Sequence, residues 1–156
     1  MPKSYHYAFK KEYPGLTQRL TTETEIICIS GMENKSITIN ALWDTGAMIS
    51  AVTPAVSQIL NLIPINRIKV NSINNVILAD VVKISVRLPN MVMLNNINAA
   101  VCNLVRGVDL LIGMDIIKFG DFSISNGEGK SLFSFVIPPL ENKTDLYEKA
   151  LAINKQ

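Results

Sequence analysis

Short runs of β-branched residues, separated by close turn signals, recur along almost the whole chain. The sequence has 20 Ile and 12 Val, and these side chains favour the pleated surface of a β-sheet. Seven or more short strands with close turns are typical of a sandwich or barrel rather than of alternating strands and helices. A length of 156 residues is usual for one domain. The sequence therefore predicts a single all-β lobe.

The individual elements follow from the apolar patterns and the residues that interrupt them. Residues 54–62 predict a short helix with Thr53 as its N-cap and Pro54 in its first turn, and a single helical turn is expected within 114–119. Turns are predicted at 33–35, at 71–75 between two strands, and at 126–129 within a hairpin. The predicted strands are 26–29, 36–42, 48–52, 82–86, 91–94, 99–105, 109–112, 122–125 and 131–137.

The chain divides into three segments by composition. Residues 1–23 are polar and are interpreted as an N-terminal arm or irregular lead-in. Residues 24–140 carry the strand signals and form the predicted domain. Residues 141–156 form a C-terminal tail, in which apolar residues at helical spacing predict an amphipathic helix over 141–154.

The residue inventory excludes several kinds of chemistry. A Ser-His-Asp or Cys-His hydrolase would have to use His6, the one histidine of the sequence. Cys28 and Cys102 stand far apart without a CxxC motif, so reduced, structural cysteines are expected and a zinc site is hard to assemble. The common nucleotide-binding loops are absent from the sequence. We therefore expect no metal and no cofactor.

The net charge and the apolar runs of the sequence limit which partners and which cellular location can be expected. A net charge of +2 is too balanced for a nucleic-acid partner to be inferred from charge alone. No apolar run approaches the roughly 18 residues of a membrane span, and the N-terminal segment lacks the apolar region of a signal peptide. We expect a cytoplasmic protein with no membrane span.

Asp44 carries a carboxylate among apolar neighbours in the sequence. It is the only charged residue between Lys35 and Arg67, and Leu42-Trp43 and Ala47-Met48-Ile49 flank its motif. A carboxylate is expensive to bury unless it is hydrogen-bonded, paired or protonated. Asp-Thr-Gly is an ordinary turn sequence, but a solvated turn rarely has such apolar flanks. The sequence therefore favours a functional carboxylate.

A second motif, Leu111-Ile112-Gly113, follows 67 residues after Gly46. Together with Asp44-Thr45-Gly46-Ala47, in this order and in a β-rich chain of this length, it resembles the two-part signature of the retropepsins, the retroviral-type aspartic proteases. The resemblance extends from about Glu25 to Ile137. It implies an acid-protease fold, a closed β-barrel with one or two short helices and one lobe per chain.

The resemblance also implies a mechanism that needs two carboxylates around one water. The chain carries one Asp-Thr-Gly motif, so an active site would require a homodimer with Asp44 from each subunit at the two-fold axis. Thr45 would then hydrogen-bond across the axis, and Gly46 and Ala47 would support the loop. The substrate would be an extended peptide or protein segment beneath a hairpin flap.

The resemblance to the retropepsins also implies roles for further residues. Met48 and Met114 stand where retroviral enzymes usually carry an acidic and a basic residue, so apolar substrate side chains are expected. The predicted flap is 71–75, which contains no glycine, and the predicted dimer interface is 131–137. The residues expected to bind substrate are Met48, Ser72, Ile73, Asn74, Ile112 and Met114. Those expected to have structural roles are Leu111, Gly113 and Asp115.

Three functional hypotheses remain open at this point. The first is an active homodimeric aspartic endopeptidase. The second, motivated by the glycine-free flap, is a retropepsin-fold dimerisation or peptide-binding module with little or no turnover. The third is an unrelated β-sandwich in which Asp44 is an ordinary turn residue.

Overall fold

A computed structural model describes residues 5–30, 33–71 and 76–155. Almost all of the regular structure is β-strand, arranged in a three-stranded and a seven-stranded sheet. The strands are β1 (Tyr7–Glu12), β2 (Thr21–Ser30), β3 (Glu33–Trp43), β4 (Ala51–Val52), β5 (Asn66–Asn71), β6 (Val76–Arg87), β7 (Met93–Val101), β8 (Leu110–Ile112), β9 (Asp121–Ser125) and β10 (Leu132–Ile137). The helices are α1 (Pro54–Ile59), α2 (Met114–Ile117) and α3 (Leu146–Asn154), with a short 3-10 turn at Gly127–Gly129.

The larger sheet closes on itself. Its strand order is β2-β3-β8-β4-β7-β6-β5, and β2 also pairs with β6. At this closure Glu25 lies opposite Arg87, and the Arg87 Nη1 donates a hydrogen bond of 2.7 Å to the Glu25 Oε2. The strands β2, β3, β8, β4, β7 and β6 thus form a ring, and β5 extends it as an outer strand. The predicted all-β class is confirmed.

The smaller sheet, in the order β1-β10-β9, covers one side of the ring through aromatic packing. The Trp43 ring lies 4.9 Å from the Phe135 ring, 5.2 Å from the Phe133 ring and 5.7 Å from the Phe9 ring, measured between centroids. Phe133 and Phe135 are fully buried. This cluster anchors the end of β3, directly before Asp44.

The irregular conformation expected for residues 1–23 is wrong for residues 7–12 and 21–23. Residues 7–12 form β1, which pairs antiparallel along its whole length with β10, and β2 begins at Thr21. Local pattern could not reveal β1, because its partner strand comes from the other end of the chain and only Phe9 supplies a large apolar side chain to the core.

Two further predictions differ from the structure. The turn expected at 33–35 is wrong: these residues belong to β3 and pair with the end of β2. The strands expected at 91–94 and 99–105 are one strand, β7, in which Asn96 takes a left-handed conformation with φ of 60° near a register shift between Ile84 and Val86. Asparagine tolerates this conformation and so does not end the strand.

Other local predictions are confirmed. Thr53 caps α1 by accepting a hydrogen bond from the Val56 N–H at 3.4 Å, with Pro54 in the first turn, although α1 ends at Ile59. β9 and β10 form the predicted hairpin, and the tail contains α3. None of the helices formed by the described residues has the length and apolar character that crossing a lipid bilayer requires.

Candidate active site

Asp44 is held by two parallel strands that are distant in the sequence. It follows β3, and β3 pairs in parallel with β8 so that Trp43 lies opposite Ile112. The Asp44 N–H donates a hydrogen bond of 2.9 Å to the Ile112 carbonyl. The end of β8 thereby fixes where the Asp-Thr-Gly loop begins.

The loop itself is shaped by short backbone hydrogen bonds. The Gly46 N–H donates to the Asp44 Oδ1 at 2.8 Å, and the Ala47 N–H donates to the Asp44 carbonyl at 3.3 Å. The Met114 N–H donates to the Ala47 carbonyl at 2.8 Å. Within the described residues the Asp44 Oδ2 accepts no hydrogen bond, and the side chain is half-buried. One carboxylate oxygen is therefore fixed and the other is available to a bound molecule.

Gly113 lies where the two motifs come closest. A Cβ atom at this position would lie 2.8 Å from both the carbonyl carbon and the oxygen of Ile49, and 2.9 Å from the Ala47 oxygen. Real Cβ atoms do not approach backbone so closely, so any other residue would displace the segment after the loop. The structural role predicted for Gly113 has a steric basis here.

A buried polar network ties the same region to α2. Ser50 is fully buried, and its hydroxyl donates to the Asp115 Oδ1 at 2.8 Å while accepting from the Gly113 N–H at 3.1 Å. The Asp115 Oδ2 accepts from the Ser50 N–H at 3.0 Å. Asp115 therefore joins the loop-exit segment to the start of α2.

A cleft of about 470 Å³ opens beside the Asp44 carboxylate. The loop contributes part of the lining and the end of β5 contributes another part. Most of the remaining lining is apolar. The lining residues are Asp44, Gly46, Ala47, Met48, Ile49, Ala51, Lys69, Val70, Asn71, Ala100, Cys102, Leu104 and Leu111.

The positions of two neighbouring β8 residues do not match the roles expected for them. Ile112 was expected to bind substrate, but it is fully buried in the main core and does not line the cleft. Leu111 was expected to be structural, yet it lines the cleft. Successive residues of a strand point to opposite faces, so the strand turns Leu111 towards the cleft and Ile112 away from it.

The other predicted substrate contacts fall into three groups. Met48 lines the cleft and is 85% exposed, whereas Met114 is exposed but lies outside the lining residues. Ser72, Ile73 and Asn74 lie outside the described residues. Of the strand ends that flank them, Asn71 pairs with Val76 and lines the cleft.

Several cleft residues were missed by sequence reasoning. Val70 lies on β5 and Ala100 on β7, where Ala100 lies opposite Ala51 in a parallel pairing. Cys102 and Leu104 follow the end of β7 and also line the cleft. No local motif marks such positions. Burial raises the pKa of the Cys102 thiol, because desolvation disfavours its charged form.

An Asp-Thr-Gly loop held between two parallel strands of an all-β lobe defines the class of the aspartic proteases. Comparison with known proteins supports this assignment. The aspartyl protease family matches residues 29–116, more than half of the chain, and the chain belongs to this family.

The fold is retropepsin-like. The crystal structure of a retropepsin-like aspartic protease from Rickettsia conorii superposes with a TM-score of 0.55 at 18% sequence identity, and the match covers 88% of this chain and 99% of that one. At such low identity the likeness shows the fold alone. No curated protein sequence matches this chain.

Proposed function

We propose that this chain is an aspartic endopeptidase that works as a homodimer. The observation that carries the proposal is the placement of Asp44: a carboxylate with one fixed and one available oxygen, on an Asp-Thr-Gly loop, at the wall of a largely apolar cleft. The family membership and the retropepsin-like fold support it.

The homodimer follows from the chemistry of this family and the count of motifs. Peptide hydrolysis between carboxylates needs two of them around one water, and the chain has a single Asp-Thr-Gly sequence. A second copy would supply the second Asp44 across a two-fold axis. Thr45 is exposed beside it, where its hydroxyl would meet the partner's loop.

In the proposed reaction the two carboxyl groups share one proton, because two like charges so close cannot both be ionised. The ionised group takes a proton from the water while the water oxygen attacks the peptide carbonyl carbon. The protonated group gives its proton to the carbonyl oxygen. As the resulting diol collapses and the C–N bond breaks, the leaving nitrogen takes the proton of the protonated carboxyl group. One diol hydroxyl gives its proton to the ionised carboxylate, so the pair again holds one proton.

The cleft indicates the substrate class. An extended peptide would lie between the Asp44 loop and the end of β5, and its side chains would meet Val70, Leu104 and Leu111. These apolar walls favour apolar side chains next to the cleaved bond. Met48, at the exposed rim of the cleft, would contact the same substrate.

The test is a peptide-library digest at about pH 4 to 7, where a carboxyl pair can hold one proton, combined with analytical ultracentrifugation. We expect a dimer that cleaves, and an Asp44→Asn variant that dimerises but does not cleave, since the change is nearly isosteric. Cleavage retained by the variant would reject the mechanism. A dimer that binds peptides, cuts none of them and behaves like its Asp44→Asn variant would instead be a peptide-binding module.

A further inference from the structure

A short chain of buried hydrogen bonds starts at the side chain of Trp43, the residue that precedes Asp44. The Trp43 Nε1 donates to the Thr22 Oγ1 at 2.9 Å, and the Thr22 Oγ1 lies 3.2 Å from the Thr24 Oγ1. These three residues are 4%, 3% and 2% exposed. Buried polar groups of this kind depend on one another, because no water takes the place of a lost partner.

The chemistry of the three groups sets the direction of this chain. An indole N–H only donates, whereas a threonine hydroxyl both donates and accepts. The Thr22 oxygen therefore accepts from Trp43, and its own hydrogen is free to point to the Thr24 Oγ1. Within the described residues no buried side-chain nitrogen or oxygen lacks a partner. Removal of the Thr22 hydroxyl would therefore leave the indole N–H unsatisfied.

The remaining neighbours of the Trp43 ring are aromatic. Measured between centroids, they lie at 4.9 Å (Phe135), 5.2 Å (Phe133), 5.7 Å (Phe9) and 6.4 Å (Phe122). Such packing buries the indole without supplying an oxygen acceptor for its N–H. The bond to Thr22 is thus the directional contact of this side chain, and it selects one orientation of the ring within the cluster.

The backbone links the orientation of Trp43 to the position of Asp44. The Trp43 N–H donates to the Leu20 carbonyl and the Asp44 N–H donates to the Ile112 carbonyl, each at 2.9 Å. If the indole turned, the Trp43 Cα would move, and with it the peptide unit from which the Asp44 side chain starts. The Asp44 Oδ1, which accepts from the Gly46 N–H, would move with the loop.

We propose that Thr22 is a positioning residue of the active site: its hydroxyl fixes the Trp43 indole and, through it, the place of the Asp44 carboxylate. This inference rests on the proposed function, in which two carboxylates meet one water. Thr22 does not line the cleft beside Asp44, so it acts through Trp43 and not on the substrate. Misplacing a reacting group by about 1 Å can cost about 100-fold in rate, so a small shift should be visible in kcat.

The first experiment removes the hydroxyl at nearly constant size. Thr22→Val lacks the oxygen, Thr22→Ser keeps it, and Thr38→Val is the matched control because Thr38 is exposed on β3. Trp43 is the only tryptophan of the sequence, so tryptophan fluorescence reports this indole alone. The emission maximum should shift to shorter wavelength in Thr22→Val, whose indole N–H lacks a polar partner. It should stay at the parent's value in Thr22→Ser and in the control.

The second experiment measures kcat and KM of the saturated dimers, at a temperature where circular dichroism shows each variant to be folded. In Thr22→Val, kcat should fall at least about tenfold while KM stays within about twofold, since the walls of the cleft are unchanged. Thr22→Ser should recover most of the parent's kcat. A hydroxyl with a merely structural role would lower the melting temperature and leave the kcat of the folded enzyme unchanged.

Trp43→Phe gives a test that does not depend on the folding of Thr22→Val. It removes the N–H, and Thr22 keeps Thr24 as its partner, so no buried donor is left without an acceptor. We expect kcat to fall in this variant as well. In the Trp43→Phe background, Thr22→Val should change kcat by less than about twofold, because the hydroxyl no longer has an indole to orient.

The outcomes separate this inference from the function beneath it. If the parent cleaves peptides and Thr22→Val or Trp43→Phe keeps the parent's kcat, the positioning role is overturned and the peptidase stands. An equal loss of kcat from Thr22→Val in the parent and in the Trp43→Phe background also overturns it. If the parent cleaves no peptide at any protein concentration, the proposed function fails and the positioning role with it, while the fluorescence still reports the hydrogen bond.

Discussion

Asp115 holds Ser50 with both of its carboxylate oxygens: Oδ2 accepts from the backbone N–H at 3.0 Å and Oδ1 from the hydroxyl at 2.8 Å. The Ser50 hydroxyl also accepts from the Gly113 N–H. Since Ala47 and Gly113 flank the loop that carries Asp44, this pair fixes the chain on the exit side of the loop. Ser50 is fully buried, so its hydroxyl forms these hydrogen bonds away from the surface.

Replacing Ser50 by alanine should therefore destabilise the protein by about 1–3 kcal/mol, because the buried Gly113 N–H loses its partner and the Asp115 Oδ1 keeps only the Ile116 N–H. Urea denaturation measures this loss. Ser36→Ala, on the exposed side of β3, is the matched control and should change the free energy of unfolding by less than about 0.5 kcal/mol. Equal effects of the two substitutions would show that the network contributes nothing.

Gly113→Ala should also destabilise the protein, by about 1–3 kcal/mol, because the new Cβ would meet the backbone of Ile49 and Ala47 at 2.8–2.9 Å. Peptidase activity should fall with it, since the displaced segment includes the end of the Asp-Thr-Gly loop. The control is Gly127→Ala, where a Cβ meets nothing within 4 Å. Thermal unfolding and a peptide-cleavage assay on the same samples test both effects.

Thr45→Ala should weaken dimerisation before it affects chemistry. The Thr45 side chain is exposed, and among the described residues its hydroxyl has no hydrogen-bond partner within the chain. The variant should therefore need a higher protein concentration for half-maximal activity, yet reach a similar rate per dimer when saturated. Thr45→Ser, which keeps the hydroxyl, should restore the parent's concentration dependence. If alanine and serine behave alike, the hydroxyl has no part in assembly.

Leu111 and Ile112 should respond differently to the same truncation. Ile112→Ala removes a fully buried core side chain and should cost about 2–5 kcal/mol of stability. Leu111→Ala enlarges the cleft and should cost less, while shifting cleavage towards peptides with larger apolar side chains. Library digests and urea denaturation of both variants check this difference. An unchanged cleavage preference in Leu111→Ala would remove Leu111 from the substrate site.

Cys102 offers a chemical probe of the cleft. Since burial raises the pKa of its thiol, alkylation by iodoacetamide should be slow at neutral pH and should accelerate only when the pH exceeds the ordinary thiol range. A peptide inhibitor bound in the cleft should slow it further. Mass spectrometry of tryptic peptides separates this site from Cys28. Alkylation of Cys102 that ignores a saturating inhibitor would contradict the proposed path of the substrate.

Much of the site could be predicted because short sequence motifs mark it. The apolar flanks of Asp44, the glycine two residues later and the run that ends at Gly113 are all short motifs, and the structure brings these motifs together through the β3–β8 pairing. The cap of α1 and the β9–β10 hairpin are equally local. In each case neighbouring residues are enough to identify the feature, although the β3–β8 pairing places the two motifs together.

The rest could not be predicted because it depends on partners distant in the sequence. β1 is a strand only because β10 lies beside it. The run Leu110-Leu111-Ile112 is uniformly apolar, so periodicity cannot tell which residue faces the cleft; the position of β8 between β3 and β4 decides it. The cleft residues of β7 are set by tertiary pairing in the same way.

The link between Ser50 and Asp115 spans 65 residues of sequence, and it has a bearing on biosynthesis. A growing polypeptide that has not yet emerged past α2 lacks β8 and Asp115, so its Asp-Thr-Gly segment lacks the hydrogen bonds to Ile112 and Met114 and the anchor at Ser50. In the proposed peptidase, hydrolysis would therefore begin only after translation has passed α2.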